Sequence, residues 1–132
     1  MTTTYFLNVV AGNVYGSGTL TPLPSKYYIG LSTTAPNING TNVTEPSGSG
    51  YTRMELTSLG APSSGVVTNT AAIDFPESTA SWGTATHFVI YDALTNGNLL
   101  QYGPLSTPRS IEPATIMSIP ANYLNLSMQN PV

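Results

Sequence analysis

Residues 82–102, Trp82-Gly-Thr-Ala-Thr-His-Phe-Val-Ile-Tyr-Asp-Ala-Leu-Thr-Asn-Gly-Asn-Leu-Leu-Gln-Tyr102, decide how the chain folds. Thr86–Tyr91 is rich in the β-branched and aromatic side chains that suit a pleated, half-buried surface, which predicts a central strand. Asn96-Gly97 tolerates the positive φ of a tight reversal, and Leu99–Tyr102 then returns as the second arm of a hairpin. By the period-2 rule Phe88, Ile90 and Asp92 share one face and His87, Val89 and Tyr91 the other. Both faces are largely apolar, so a strand covered on both sides is expected. Trp82, Phe88, Ile90, Leu99 and Leu100 are the predicted core of this unit.

Outward from the hairpin, short extended segments recur between turn signals. Lys26–Ser32 and Tyr51–Leu56 precede it, the latter with Thr52, Met54 and Leu56 facing one way and Tyr51, Arg53 and Glu55 the other. Val66–Asn69 and Ala71–Pro76 follow, and Glu77–Ser81 reads as a helical turn or loop. Beyond Gly103-Pro104, Leu105–Ser110 reads as an extended edge, because its prolines cannot donate to a ladder. Ala114–Ile119 and Asn122–Met128 complete the set. With no sustained helical period, about seven to nine short strands predict an all-β chain: a single antiparallel β-sandwich or flattened barrel. It would span residues 25–132. Residues 1–24 hold a short apolar segment, then Gly12, Gly16, Gly18, Pro22 and Pro24, which predicts an extended N-terminal arm or first strand. Thr33–Gly50 has loop composition throughout and is expected to be the most exposed segment.

Composition narrows the function. The 132 residues suit one domain, and the absence of cysteine excludes disulfides, thiolate metal sites and cysteine nucleophiles. Only 7% of residues are charged, against roughly 25% in ordinary soluble domains, and such a surface suits burial against other subunits. A net charge of −3 with only Lys26, Arg53 and Arg109 as cations argues against nucleic acid and anionic membrane partners. No segment approaches the roughly 20 apolar residues of a membrane span, and no basic region precedes Tyr5–Ala11. The mature chain is therefore expected to start at or near Met1.

Catalytic signatures are absent. His87 is the single histidine, so no His-based metal spacing exists, and it points away from Asp92 on a strand, which spoils a serine triad. Glu45, Glu55, Asp74, Glu77, Asp92 and Glu112 lie on separate segments and form no paired-carboxylate motif. The glycine clusters lack the lysine and helix of a phosphate loop. Asn39, Asn42 and Asn125 begin glycosylation sequons, which chance supplies in so Asn- and Thr-rich a chain. Tyr27, Tyr28, Tyr51, Tyr91 and Tyr102 could stack on sugars, although packing is the favoured reading. No enzyme, cofactor or metal is expected.

The ordered succession YYIGLSTTAP (27–36), VTEPSGSGYTRMEL (43–56), IDFPESTASWGTATHFVIYDA (73–93) and GNLLQYGPL (97–105) resembles small structural proteins of tailed bacteriophages, the tail-fibre-like or virion accessory proteins. The resemblance covers roughly residues 26–112 and implies a non-enzymatic β-rich virion component, repeated around a symmetry axis and associated with other capsid or tail proteins. With no signal peptide it is expected to be made in the host cytoplasm, and symmetric assembly suggests a homo-oligomer, with a trimer expected. Chain length and the lack of a fibrous repeat favour a capsid decoration subunit; the alternative is a tail-fibre or tail-tip subunit that binds a host receptor or glycan. The expected contacts are Tyr5, Phe6, Leu7, Val9 and Val10 of the arm, lying extended on a neighbour, and Asn37, Asn39, Asn42 and Glu45 of the loop. In that reading, removing residues 2–18 abolishes particle binding and leaves the domain folded.

Overall fold

The computed structural model describes residues 1–16 and 21–128. Among these, one helix, α1 (Thr4–Tyr15), precedes eight strands: β1 (Tyr28–Ser32), β2 (Met54–Glu55), β3 (Val66–Thr68), β4 (Ile73–Asp74), β5 (Gly83–Tyr91), β6 (Leu99–Ile111), β7 (Ser118–Ile119) and β8 (Asn125–Ser127). The fold is all-β, as expected. Its main layer is a four-stranded antiparallel sheet in the order β2-β1-β5-β6, and the strands opposite form two short ribbons, β3-β8 and β4-β7, instead of one continuous second sheet.

The hairpin of β5 and β6 is the centre of the molecule. Asn96 and Gly97 take φ values of 55° and 76°, the left-handed backbone that their sequence anticipates. Strand β5 pairs with β1 on one side (Ile29 opposite Ile90) and with β6 on the other (Val89 opposite Tyr102). Both of its faces are covered. On one, Ile29, Leu31 and Ile90 pack with Phe75, Trp82, Ile111, Met117 and Leu124. On the other, Val89, Tyr91 and Leu99 pack with Val43 and Tyr102. Trp82, Ile90, Leu99 and Leu100 are buried, while Phe88 is half-buried against the larger cluster.

Two expectations are corrected. Gly103-Pro104 does not end the return strand, because β6 continues to Ile111. As the last strand of its sheet it tolerates Pro104 and Pro108, and the register absorbs them: Ala85 faces Arg109 while His87 faces Pro104, so Leu105–Pro108 bulge outward.

The second correction concerns the N-terminus, which is not an extended arm over residues 4–15. Thr3 caps α1, its Oγ1 accepting from Phe6 N at 3.3 Å, and Gly16 closes it at φ 63° with its N–H on Gly12 O. Phe6 and Val9 lie one helical turn apart and bury against Leu100. Ahead of the helix, residues 1–3 run beside β6. Thr3 N donates to Leu100 O at 2.9 Å, Tyr102 N donates to Met1 O at 2.9 Å, and Thr2 bridges to Gln101. Thr3 Oγ1 also donates to Leu99 O and Leu100 O, at 2.7 and 3.0 Å. The N-terminal segment expected to lie extended on a neighbour thus pairs, through residues 1–3, with β6 of its own chain.

Candidate contact surfaces

The segment 33–50 is bound back on itself and onto the sheet. Ser32 Oγ accepts from Thr44 N at 3.1 Å, and Thr33 N donates to Thr44 O at 2.9 Å, which closes the loop at its base. At the tip, Asn39 Oδ1 accepts from both the amide and the hydroxyl of Thr41 (3.2 and 2.6 Å), and Asn37 Nδ2 donates to Thr41 Oγ1 at 3.0 Å. Asn42, at φ 64°, donates through Nδ2 to Ala35 O. Asn37, Asn39 and Asn42 are exposed on this braced tip.

Glu45 points the other way, into the protein. Its carboxylate takes Arg53 Nη2 at 2.7 Å and Nε at 3.0 Å, and accepts the Tyr51 hydroxyl. That hydroxyl in turn accepts Leu31 N at 3.0 Å. Arg53 Nη1 donates to Ala93 O and Asn96 O, both at 2.8 Å, and the guanidinium lies 3.6 Å from the centre of the Tyr91 ring. One cation thereby joins β2, the 33–50 loop and the Asn96-Gly97 turn. Strand alternation sets Arg53 with Tyr51 and Glu55; the 33–50 loop buries it, and Glu45 with it is committed inside the fold. Burial and then the bond to Glu45 push the Tyr51 phenol well above its ordinary pKa.

In α1, Phe6 and Val9 are buried, Leu7 and Val10 half-buried, and Tyr5 exposed. Successive steps of 100° place Asn8, Ala11, Val14 and Tyr15 on the outer side, where Val14 and Tyr15 are among the most exposed large apolar side chains. No charged residue occurs in the helix. Its outer face is therefore uncharged and exposed, and the signal for the helix that presents it was Thr3 as cap with Gly16 as stop.

The tyrosines do not make one platform. Tyr51 and Tyr91 serve the Glu45–Arg53 cluster, and Tyr27 packs edge-on to Phe6. Outside α1, where Tyr5 and Tyr15 are exposed, Tyr123 stands out on the turn between β7 and β8. That turn is pinned from within by Asn69, which is fully buried. Asn69 Nδ2 donates to Ala71 O and Pro120 O, its Oδ1 accepts Leu124 N, each at 2.9 Å, and its backbone carbonyl accepts Asn122 N at 2.8 Å. Tyr123 stands at the junction of two adjoining clefts. One, of about 300 Å³, runs between the β6 bulge and β7; the other, of about 250 Å³, runs beside Met1 and Gln101.

The remaining candidate groups stay apart. His87 Nδ1 lies 2.8 Å from Thr86 Oγ1, and burial holds the imidazole below its ordinary pKa. Asp92 accepts both nitrogens of Asn98 and so braces the hairpin turn. Among the described residues no group of three or more His, Asp or Glu side chains could hold a metal ion, and no helix is long and apolar enough to cross a membrane.

Comparison with curated proteins gives no match. The family described as Podophage GP4 fiber I protein gp80 matches residues 2–127, which takes in α1 and β8 as well as the segments whose order first suggested a phage protein. The chain therefore belongs to the Podophage GP4 fiber I protein gp80 family and is a bacteriophage virion structural protein of the fibre-like kind.

Proposed function

We propose that this chain is a non-enzymatic subunit of the virion's fibre apparatus, not a decoration spread over the head. Family membership supports a fibre, and the observation that carries the choice is the docking of residues 1–10 into their own domain. A decoration subunit of the kind first expected needs a free arm to lie across a neighbour. Here the strand-forming groups of residues 1–3 are spent on β6, and the apolar groups of Phe6 and Val9 on Leu100. Attachment then falls to preformed surfaces: the uncharged outer face of α1, around Val14 and Tyr15, and the braced Asn37–Asn42 tip. In this reading the α1 faces pack copies around a symmetry axis as a trimer, since an uncharged apolar helix face meets no repulsion from its own copy.

Electron microscopy of virions carrying a tag on this protein tests the assignment. Label confined to the tail fibres is expected, and label distributed over the head would return the protein to a decoration role. Native mass spectrometry tests the assembly: Val14→Asp with Tyr15→Asp should convert the oligomer to monomer.

A further inference from the structure

The cleft between the β6 bulge and β7 combines three features that the fold itself does not require. The first is Tyr123, 69% exposed on its rim although the turn bearing it is fixed by three hydrogen bonds to buried Asn69. An aromatic ring held out on a rigid turn is preorganised for stacking, since little side-chain or loop entropy remains to be lost on binding. The second is Arg109. Of the three cations in the chain, Lys26 pairs with Glu55 and Arg53 with Glu45, whereas Arg109 has no ion-pair partner among the described residues and lines this cleft. The third is the rest of the lining. Ser106, Thr107 and Ser118 contribute hydroxyls, Phe88 and Pro104 an apolar floor, and no acid is present.

We propose that this cleft binds an acidic saccharide, a pyranose bearing a carboxylate. The Tyr123 ring stacks on the C–H face of the sugar, and Arg109 takes the carboxylate through its planar fork. The hydroxyls of Ser106, Thr107 and Ser118 are partners for the sugar hydroxyls, and about 300 Å³ is at the small end of ligand sites, enough for a terminal residue of a longer chain. The adjoining cleft, which shares Phe88, Pro104 and Tyr123, continues the groove past Asn125 for the next residue. The proposal builds on the fibre reading, in which a recognition site is useful, but its geometry stands without it.

The test is titration of the purified chain with oligogalacturonate and with a neutral galactose oligomer, followed by calorimetry and amide chemical shifts. Expected are binding of the acidic oligomer with shifts around residues 104–109 and 118–125, at least tenfold weaker binding by Tyr123→Ala, and a comparable loss in Arg109→Gln. Thermal unfolding of both variants should be unchanged, since both side chains are exposed. No binding at millimolar concentration, equal binding of the neutral oligomer, or full binding by Tyr123→Ala would each overturn the proposal. So would loss of Tyr123→Ala protein from assembled particles without any saccharide binding, which would make the cleft an interface with another virion protein. A head location seen by microscopy, with saccharide binding intact, would instead overturn only the fibre reading.

Discussion

Arg53 grips Glu45 with two nitrogens, Nη2 at 2.7 Å and Nε at 3.0 Å, and the pair is drawn off the solvent by the very loop that supplies the glutamate. Such a pair adds little over an apolar pair of the same shape, but breaking one half strands the other. Glu45→Gln should therefore cost about 3 kcal/mol, the low end for a buried pair because the Glu45 side chain keeps 20% of its surface exposed. Arg53→Lys keeps the charge but not the fork that reaches Ala93 O and Asn96 O, and should cost about 2 kcal/mol. Urea unfolding of both variants checks this. Midpoints within error of the parent protein would show the cluster to be solvated.

Tyr51 gives the cluster a pH signature. Its pKa is raised above the ordinary 10.0, first by burial and then by the bond to Glu45. Above about pH 10 the unfolded chain gives up this proton while the folded chain keeps it, so the contribution of Tyr51 is complete below that pH and declines as pH rises. Burial raises Tyr27 and Tyr91 too and steepens the fall. Tyr51→Phe should be less stable at pH 7 by about 2 kcal/mol, having lost its bonds to Glu45 and Leu31 N. It should also lose stability less steeply from pH 10 to 11, by roughly 1 kcal/mol per pH unit. Parallel alkaline slopes in the two proteins would refute this.

The hairpin was legible because its signals are local: β-branched alternation through Thr86–Tyr91 and the Asn96-Gly97 turn need no knowledge of the rest of the chain. The length of β6 was not legible, since Pro104 and Pro108 read as breakers unless the strand is known to lie at an edge. Helix α1 was hidden by Val9-Val10 and Gly12, residues with weak helical preference, and only docking onto Leu100 compensates for them. Arg53 illustrates the largest gap. Alternation grouped it with Tyr51 and Glu55 and could not reveal that Glu45, from a segment of loop composition, would fold over it. Of the expected loop contacts, the exposed Asn37, Asn39 and Asn42 remain available and Glu45 does not. The exposure of Tyr123 depends on Asn69, more than 50 residues earlier in sequence, and no local pattern encodes it.

The docking of the N-terminus reverses the outcome anticipated from sequence for its removal. Thr3 caps α1 and donates to β6, and Phe6 is 7% exposed. Thr3→Ala should cost about 2 kcal/mol and Phe6→Ala about 3 kcal/mol. A chain lacking residues 2–10 should unfold at markedly lower urea, measured by tryptophan fluorescence of Trp82. A truncated chain as stable as the full one would restore the picture of a separable arm.

Asn69 has its polar atoms occupied and no access to water. In Asn69→Asp a carboxylate would replace the amide that donates to Ala71 O and Pro120 O, turning two attractions into repulsions at a buried site. The expected cost is about 3–5 kcal/mol, with Asn69→Ala nearer 2 kcal/mol because Leu124 N loses its acceptor. In Asn69→Ala, the amides of Asn122 and Leu124 should exchange with deuterium faster than those of β5. Exchange that rises uniformly over the whole chain would mean that Asn69 supports global stability alone and does not fix the Tyr123 turn.

Gly103 tests whether the cleft floor is as closely built as its rim. It is buried opposite Phe88 in the β5–β6 ladder, and a Cβ placed on it would stand 2.8 Å from both Cε1 and Cζ of that ring. Real side chains do not approach so closely, so in Gly103→Ala the ring must swing away or β6 must lift. Phe88 packs on the main core and also floors both clefts, and a displaced ring therefore disturbs stability and cleft shape together. The expected cost is about 1–3 kcal/mol. Shifts in amide resonances should centre on Phe88, Pro104-flanking residues and Tyr123, and the Glu45–Arg53 side of the sheet should stay unchanged. An alanine accepted without loss of stability would show that the Phe88 ring has room to move, and that the floor of the cleft is adaptable.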